Sequence, residues 1–534
     1  MDWLLLMPVI VPIVGGCYLT IFRKRFSKRS VRTCTFCFAL AAGLFVLAVI
    51  LRGDCSLTLF PLISDDFPVY FRSDGMAGLF AAVTAVMWLL SSWFSFAYMN
   101  HQDNETRYQI FSLLSLGAVL GVCFSGNLVT TYLFYELMTL MTFPLVLHEQ
   151  TKEAVSAGMT YLFYSVAGAF LGLCGIFFLC RYADTAERAG GLLGYVPGGF
   201  LAEGTGYDVL PVVLFLMLLG LACKAGMFPL HGWLPKAHPV APAPASALLS
   251  GNITKMGLLF SIRVIYYAAG PEYLSGTWVM DALLTLSLIT VFLGSMLAYR
   301  EKVMKKRLAY STVSQVSYCL TGVYLLCETA LTGALLHMVF HSIVKNLLFL
   351  SIGAVIYVTG KTRADELKGI GKKMPVTMRC FTAAGLALVG IPPLCGFVSK
   401  FYLATGALKT ELPVFSYLVP AVLLISALLT AGYLLMVSAD AFFGKSEEKA
   451  EGKEAKAADP KADGKSDAQS GASKAPVNAE LTAAEAHEPV TEKSIFLLAP
   501  LVILAVAAVV FGIVPNPLTD LIRDFLKEIF TSVM

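Results

Sequence analysis

Charge is what this sequence has least of. Asp, Glu, Lys and Arg make up only 14% of 534 residues, apolar residues make up 57%, and the mean hydropathy is +0.72. A water-soluble chain of this length would need far more polar surface, so the composition excludes a soluble enzyme and requires a polytopic membrane protein. The formal net charge is +4 with no basic face, so no nucleic-acid partner is expected. The twelve cysteines are scattered, and the one CxxC, Cys34 to Cys37, stands alone at the start of an apolar run. An iron–sulfur cluster needs four thiolates, so none is expected in this chain. A Walker motif and a glycine-rich loop opening a helix after a strand are also missing. Without them, intrinsic nucleotide or redox chemistry has no sequence support, and no cofactor or metal is expected here. The first residues, MDWLLLMPVIVPIVGGCYLT, lack a basic leader and run at once into FRKRFSKRSVR. That order argues against a cleaved signal peptide and for an N-terminus outside. Val14-Gly15-Gly16-Cys17 only loosely resembles a lipoprotein cleavage site, and Cys17 reads as ordinary helix lining.

Apolar runs fill most of the chain. After the first, they cover roughly 33–51, 73–99, 108–125, 128–147, 156–180, 209–229, 243–268, 277–299, 308–327, 329–358, 376–408, 414–442 and 494–514. Most are long enough to cross about 30 Å of hydrocarbon at 1.5 Å per residue. The expected fold is therefore all-α and polytopic, with about fourteen transmembrane helices. Loop charge tests the count: the strongly basic loops 22–32, Arg300 to Arg307 and Lys361 to Lys373 follow spans one, nine and eleven, all on one face. The positive-inside rule makes that face cytoplasmic. Residues 444–493, rich in Lys, Glu, Ala and Asp, are expected to form a disordered cytoplasmic loop. The tail NPLTDLIRDFLKEIFTSVM has apolar residues at helical spacing, suited to the membrane surface or to a neighbour.

Four stretches place ionisable residues at membrane depth, where they are disfavoured and tend to face a bundle interior or a water-filled path. The first, LACKAGMFPLHGWLPKAHPVAPAPASALLSGNITKMGLL, carries Lys224 before a break at Pro229 and Lys255 on the helix that follows. Broken helices at that depth recur in ion-coupled transporters. The second, TYLFYELMTLMTFPLVLHEQ, sets Glu136 halfway along its span, with Lys224 as its natural partner. A static pair that only fixes helix packing is the competing account. The helix GALLHMVFHSIVKNLLFL holds His337, His341 and Lys345 at successive spacings of four, so all three share one face. This row suits proton transfer. A packed histidine pair is the bland alternative, and a zinc site is a third reading that lacks a helical Glu and has a lysine nearby. In LVGIPPLCGFVSKFYLATGAL a second break at Pro392 and Pro393 precedes Lys400 by about 12 Å of helix. Two broken helices with a lysine each, five spans apart and oppositely directed, predict inverted repeats of five helices, 108–268 and 277–443, between an N-terminal unit 1–107 and a final segment 494–534.

Several of these stretches carry wording that resembles the antiporter-like subunits shared by respiratory complex I, membrane-bound energy-converting hydrogenases and Mrp sodium/proton antiporters. The matching residues are Tyr135-Glu136-Leu137-Met138, Pro229-Leu230-His231-Gly232-Trp233-Leu234-Pro235 with Ala237-His238, Ser246 to Gly251, Tyr310 to Gln315, and Gly390-Ile391-Pro392-Pro393 with Gly396-Phe397. The resemblance implies fourteen helices in two inverted repeats around a hydrophilic axis for proton transfer. By position it implies that Glu136 pairs with Lys224, Lys255 connects, His337, His341 and Lys345 bridge, and Lys400 terminates the path. It also implies partner membrane subunits and a peripheral redox arm. Those partners would carry the iron–sulfur clusters and a nickel–iron centre or quinone, and the assembly would sit in the cytoplasmic membrane of a prokaryote. Lys236 and the HGWLPKAHPVAPAPASALLSG wording lean toward the hydrogenase or Mrp branch. A redox-driven proton pump subunit is the first expectation. An Mrp-type sodium/proton antiporter subunit is the alternative, although sodium needs an oxygen-rich site and Glu136 with Thr139 and Thr142 is a thin one.

Overall fold

The structure is a computed structural model that describes residues 2–62, 64–184, 186–201, 209–444, 492 and 494–531. The chain begins with helices α1 (Met7–Phe22) and α2 (Lys28–Arg52), strands β1 (Cys55–Pro61) and β2 (Pro68–Ser73), and helices α3 (Gly75–Tyr98), α4 (Glu105–Phe124), α5 (Leu128–Val146) and α6 (Lys152–Tyr182). A split span follows as α7 (Leu210–Ala225) and α8 (Leu234–Val240), then α9 (Ala243–Ala269), which contains π turns at Leu249–Ile253 and Ile265–Ala269. Next come α10 (Trp278–Arg300), α11 (Met304–Tyr324), α12 (Glu328–Thr359), a second split span of α13 (Pro375–Val389) and α14 (Cys395–Lys409), α15 (Phe415–Phe443), α16 (Ile495–Ile513) and α17 (Asn516–Thr531).

Among the described residues, eleven helices are long and apolar enough to cross a membrane. Of the other stretches expected to span, two are the split ones, and α11 carries Lys305, Lys306 and Arg307 in its first turn. Burial sorts the helices. The most apolar window is wholly buried in α9 and 94% buried in α12, against 28% in α2 and α16. The two helices that carry Lys255 and the His337 row thus form the core, and the peripheral helices present their apolar sides outward, as lipid contact demands.

Local chemistry fixes the helix ends. Ser27, Asp74, Asn127 and Thr151 cap α2, α3, α5 and α6 with side-chain oxygens that accept backbone N–H groups. Both first halves of the split spans stop at a glycine with positive φ, Gly226 (φ 84) after α7 and Gly390 (φ 93) after α13. That left-handed turn suits glycine and is followed within a few residues by Pro229 and by Pro392 and Pro393. The peptide bonds Phe228–Pro229 and Pro392–Pro393 are cis. Small residues let α6 and α7 approach closely: a Cβ at Gly168 would stand 2.5 Å from the Gly220 carbonyl oxygen.

The structure departs from the sequence expectation in two places. The link after α2 is an antiparallel hairpin, with Leu57 paired to Phe71 and both buried, so the fold is mostly but not wholly helical. Alternation in CSLTLFP and the aromatic, β-branched PVYFRS account for it. The tail helix α17 lies on its own chain, not only on the membrane surface: Ile522, Leu526 and Ile529 are buried, and the helix packs on α12 and α3. The expected loop at 444–493 lies, apart from Gly444 and Glu492, outside the described residues.

One buried ion pair ties the first helices to the core. Arg263 of α9 donates to both oxygens of Asp74 at 2.7 and 2.8 Å, and its guanidinium lies over the rings of Tyr267 and Tyr195. Asp74→Ala leaves that guanidinium buried without its anion. The expected loss is about 3–5 kcal/mol of stability. Thermal unfolding in detergent reads it as a lowered midpoint, and a midpoint equal to the parent's shows that the pair contributes nothing.

Candidate functional site

Helix α5 is capped by Asn127 and carries Glu136 midway, one turn before Thr139 on the same side. Lys224 occupies the last turn of α7, just before Gly226 ends the helix. Its Nζ donates to Thr139 Oγ1 at 2.5 Å and stands over the rings of Tyr135 and Tyr161 at 5.1 and 5.2 Å. Glu136 is within electrostatic reach of Lys224, but the two make no contact ion pair among the described residues, and Glu136 Oε1 is buried there without a hydrogen-bond partner. The expected pairing is therefore one of neighbourhood, with a hydroxyl and two aromatic faces holding the amine.

Helix α9 packs directly on this end: a Cβ at Gly257 would stand 2.7 Å from the Leu221 carbonyl oxygen and 3.2 Å from Lys224 Cβ. Lys255 lies two residues before that contact, and its Nζ donates to the Ser250 carbonyl within the π turn. A π turn withdraws carbonyls from the i→i+4 ladder and leaves them able to accept elsewhere. Ser250 and Thr312 join α9 to α11 at 2.7 Å.

The row on α12 is entirely buried. His337 Nδ1 shares a 2.9 Å hydrogen bond with Ser399 of α14, and its ring stacks between Tyr318 (5.3 Å) and His341 (5.9 Å). His337 Nε2 and both nitrogens of His341 have no hydrogen-bond partner among the described residues. Lys345 donates to the Leu308 carbonyl of α11 at 3.0 Å. Lys400 sits on α14, yet its amine does not extend 12 Å beyond the break. It folds back to the carbonyls of Leu388 (2.6 Å) and Val389 (3.0 Å), which end α13, and lies 5.1 Å from the centre of the Tyr318 ring. A long side chain beside a helix C-terminus finds unsatisfied carbonyls there. Lys400, Tyr318, His337 and His341 thus form one sequence of contacts.

Four further polar residues share this buried region, and sequence reasoning does not single them out as site residues. His238 on α8 is fully buried, stacks on Phe349 at 4.8 Å and has neither nitrogen paired among the described residues. Lys305 donates to the Ala241 carbonyl at 2.9 Å, at the end of α8. The amides of Asn252 and Gln315 are buried and likewise unpartnered. His238 and Gln315 fall inside the quoted motifs, so the signal is present. Lys305 reads as loop charge because it borders a basic run.

The arrangement is a band of titratable side chains with few carboxylates. Among the described residues, no three His, Cys, Asp or Glu side chains gather as metal ligands. A family model described as "NADH:quinone oxidoreductase/Mrp antiporter, TM" matches residues 125–430, which contain every one of the sequence-predicted site residues. The chain belongs to this family. Within the NADH:quinone oxidoreductase/Mrp antiporter family it is 34% identical over 375 residues to NADH-quinone oxidoreductase subunit N of Desulforudis audaxviator, covering 69% of this chain and 72% of the relative. It is 28% identical over 464 residues to a Na(+)/H(+) antiporter subunit of Alkalihalophilus pseudofirmus, covering 84% and 89%. A chain of the solved Mrp complex from Dietzia superposes with a TM-score of 0.80 at 23% identity, covering 99% of this chain and 98% of that one. This family member is an integral, antiporter-like membrane subunit, and the expected all-helical, polytopic character holds apart from the hairpin.

Ser399 is the hydrogen-bond partner of His337, so Ser399→Ala leaves the whole imidazole unpartnered. A loss of about 1–3 kcal/mol is expected on thermal unfolding. Ser399→Thr, which restores a hydroxyl, is expected to unfold near the parent midpoint. Equal midpoints for all three proteins show that the bond is idle.

Proposed function

We propose that this chain is the proton-translocating membrane subunit of a redox-driven ion pump, with its protons passing along Lys224, Lys255, His341, His337 and Lys400, and Lys345 beside them. Glu136 sets the charge at the Lys224 end. The observation that carries the reading is the contact sequence Lys400–Tyr318–His337–His341, which ends on imidazole nitrogens that none of the described protein groups satisfies. Buried polar atoms are nearly always satisfied by protein or water, so these nitrogens mark positions where water would enter and carry protons. Imidazole accepts at one nitrogen and donates at the other, which suits a relay.

On this reading, Glu136 favours the charged form of Lys224 when the carboxylate is ionised, and loss of that charge releases the ammonium proton toward Lys255. A ligand or partner shifts such an equilibrium only by a differential interaction, so the energy comes from redox chemistry in partner subunits holding iron–sulfur clusters and a nickel–iron centre or quinone. The two split spans, each stopped by a glycine with positive φ, support inverted repeats at 108–268 and 277–443 within fourteen spans, and the basic loop 22–32 after the first span supports an N-terminus outside in a prokaryotic cytoplasmic membrane. The alternative is an Mrp-type antiporter, supported by the similarity to the Alkalihalophilus protein. The hydroxyls that would join Glu136 in a sodium site are already engaged, however: Thr139 accepts from Lys224, and Thr142 shares a 2.6 Å bond with Tyr161. That favours protons over sodium at this end.

In proteoliposomes holding the purified complex, Glu136→Gln and Lys400→Ala are each expected to lower turnover-linked proton transport at least about tenfold while assembly persists, since each removes a group of the relay. Unchanged transport in an assembled complex overturns the relay. Mass spectrometry of the intact complex, with bound iron assayed in the same sample, separates the two readings. Iron-bearing redox subunits support the pump, and an assembly of iron-free membrane subunits moves the reading to the antiporter.

A further inference from the structure

An open cleft of about 1130 Å³ lies between the end of α1 and the start of α4, away from the buried band. At its polar end stand Arg23 and Lys24, both exposed, and Arg107. Among the described residues, no carboxylate lines the cleft, and none of these three cations makes a contact ion pair. Arg107 is held by a hydrogen bond from its guanidinium to the His148 carbonyl, and its Nε is buried without a partner. The first turn of α4 opens here as well, and its one acid, Glu105, is buried and engaged by Arg32 at 2.5 and 2.8 Å. Below this end the wall turns apolar, through Ile110, Phe111 and Leu114.

We propose that this cleft binds one anionic phospholipid, its phosphodiester on Arg23, Lys24 and Arg107 and an acyl chain along Ile110, Phe111 and Leu114. Charge complementarity selects an anionic head: three cations line the cleft and none of the lining residues is an acid. The change from charged to apolar lining along one cleft matches a headgroup joined to a hydrocarbon chain, which free phosphate lacks. The cleft belongs to the end of the bundle that carries the basic 22–32 loop, where anionic lipid is attracted to polybasic segments. The proposal rests on the membrane embedding of the chain and is independent of the proton path.

The test uses the full chain in its purified complex, stripped of lipid in detergent. Native mass spectrometry then follows retention of dioleoyl phosphatidylglycerol, dioleoyl phosphatidylcholine and inorganic phosphate. Retention of phosphatidylglycerol over phosphatidylcholine by at least about tenfold is expected, with inorganic phosphate failing to displace it. The double variant Arg23→Gln/Lys24→Gln is expected to bind it roughly thirty-fold more weakly, the combined effect of two basic side chains at an anionic surface. Both side chains are exposed, so its unfolding midpoint in detergent should match the parent's, whereas Arg107 also holds α4 to His148 and is left in place. Equal retention of the two lipids, displacement by inorganic phosphate, or unchanged binding by the double variant overturns the proposal. So does a photo-crosslink from position 20 that captures another protein subunit in place of lipid.

Discussion

A charge removed from water must find a polar partner inside the protein, and in this chain most of the buried amines find backbone carbonyls. Lys255 takes the Ser250 carbonyl, Lys345 the Leu308 carbonyl, Lys305 the Ala241 carbonyl, and Lys400 those of Leu388 and Val389. Three of these amines use acceptors opened by interruptions: the π turn in α9, the end of α8 and the end of α13 each withdraw acceptors from the regular ladder, whereas Leu308 lies within unbroken α11. Helix breaks and buried lysines are therefore two aspects of one constraint. An unbroken helix offers few spare acceptors within hydrocarbon, and the breaks would expose carbonyls at a cost if no donor reached them.

Carbonyl partners differ from carboxylates in a way that bears on function. A carboxylate within contact strongly favours the ammonium, whereas a neutral carbonyl accepts a hydrogen bond from either the charged or the neutral amine. Four lysines solvated by carbonyls, and Lys224 by a hydroxyl, are thus left without a carboxylate in contact. Asp74 with Arg263, by contrast, is a bidentate pair with aromatic faces above the guanidinium, which is the chemistry of a fixed tie. The structure separates ions that hold helices together from ions whose partners are replaceable.

Much of this is legible in the sequence. Composition alone requires a membrane bundle, and the four-residue spacing of His337, His341 and Lys345 puts them on one face of α12. The breaks can be read from Pro229 and from Pro392 and Pro393, although the helices stop a few residues earlier, at Gly226 and Gly390. What cannot be read is distance. The amine of Lys400 returns to the break because four methylenes allow it, and no spacing argument fixes a rotamer. Glu136 and Lys224 belong together by neighbourhood, yet a hydroxyl of Thr139 takes the contact. The hairpin at 55–73 is hidden between two stronger helical signals, and Lys305 is masked by the loop whose charge it shares.

The separation of Glu136 from Lys224 gives this end of the band its character. Were the two in contact, the pair would be self-contained, and removing either charge from outside would mean breaking a desolvated ion pair. As arranged, Lys224 already has Thr139 and two aromatic faces, and Glu136 has an oxygen with no partner among the described residues. On the proposed relay the carboxylate acts through space, so its protonation would change the field at Lys224 without rearranging the hydrogen bond that positions the amine. Gly257 lets α9 close on the same corner, while Lys255, two residues earlier, leaves the helix on another side and reaches the Ser250 carbonyl. On the proposed relay, an input at Glu136 then reaches Lys224 with no movement of helices, only a redistribution of charge among side chains.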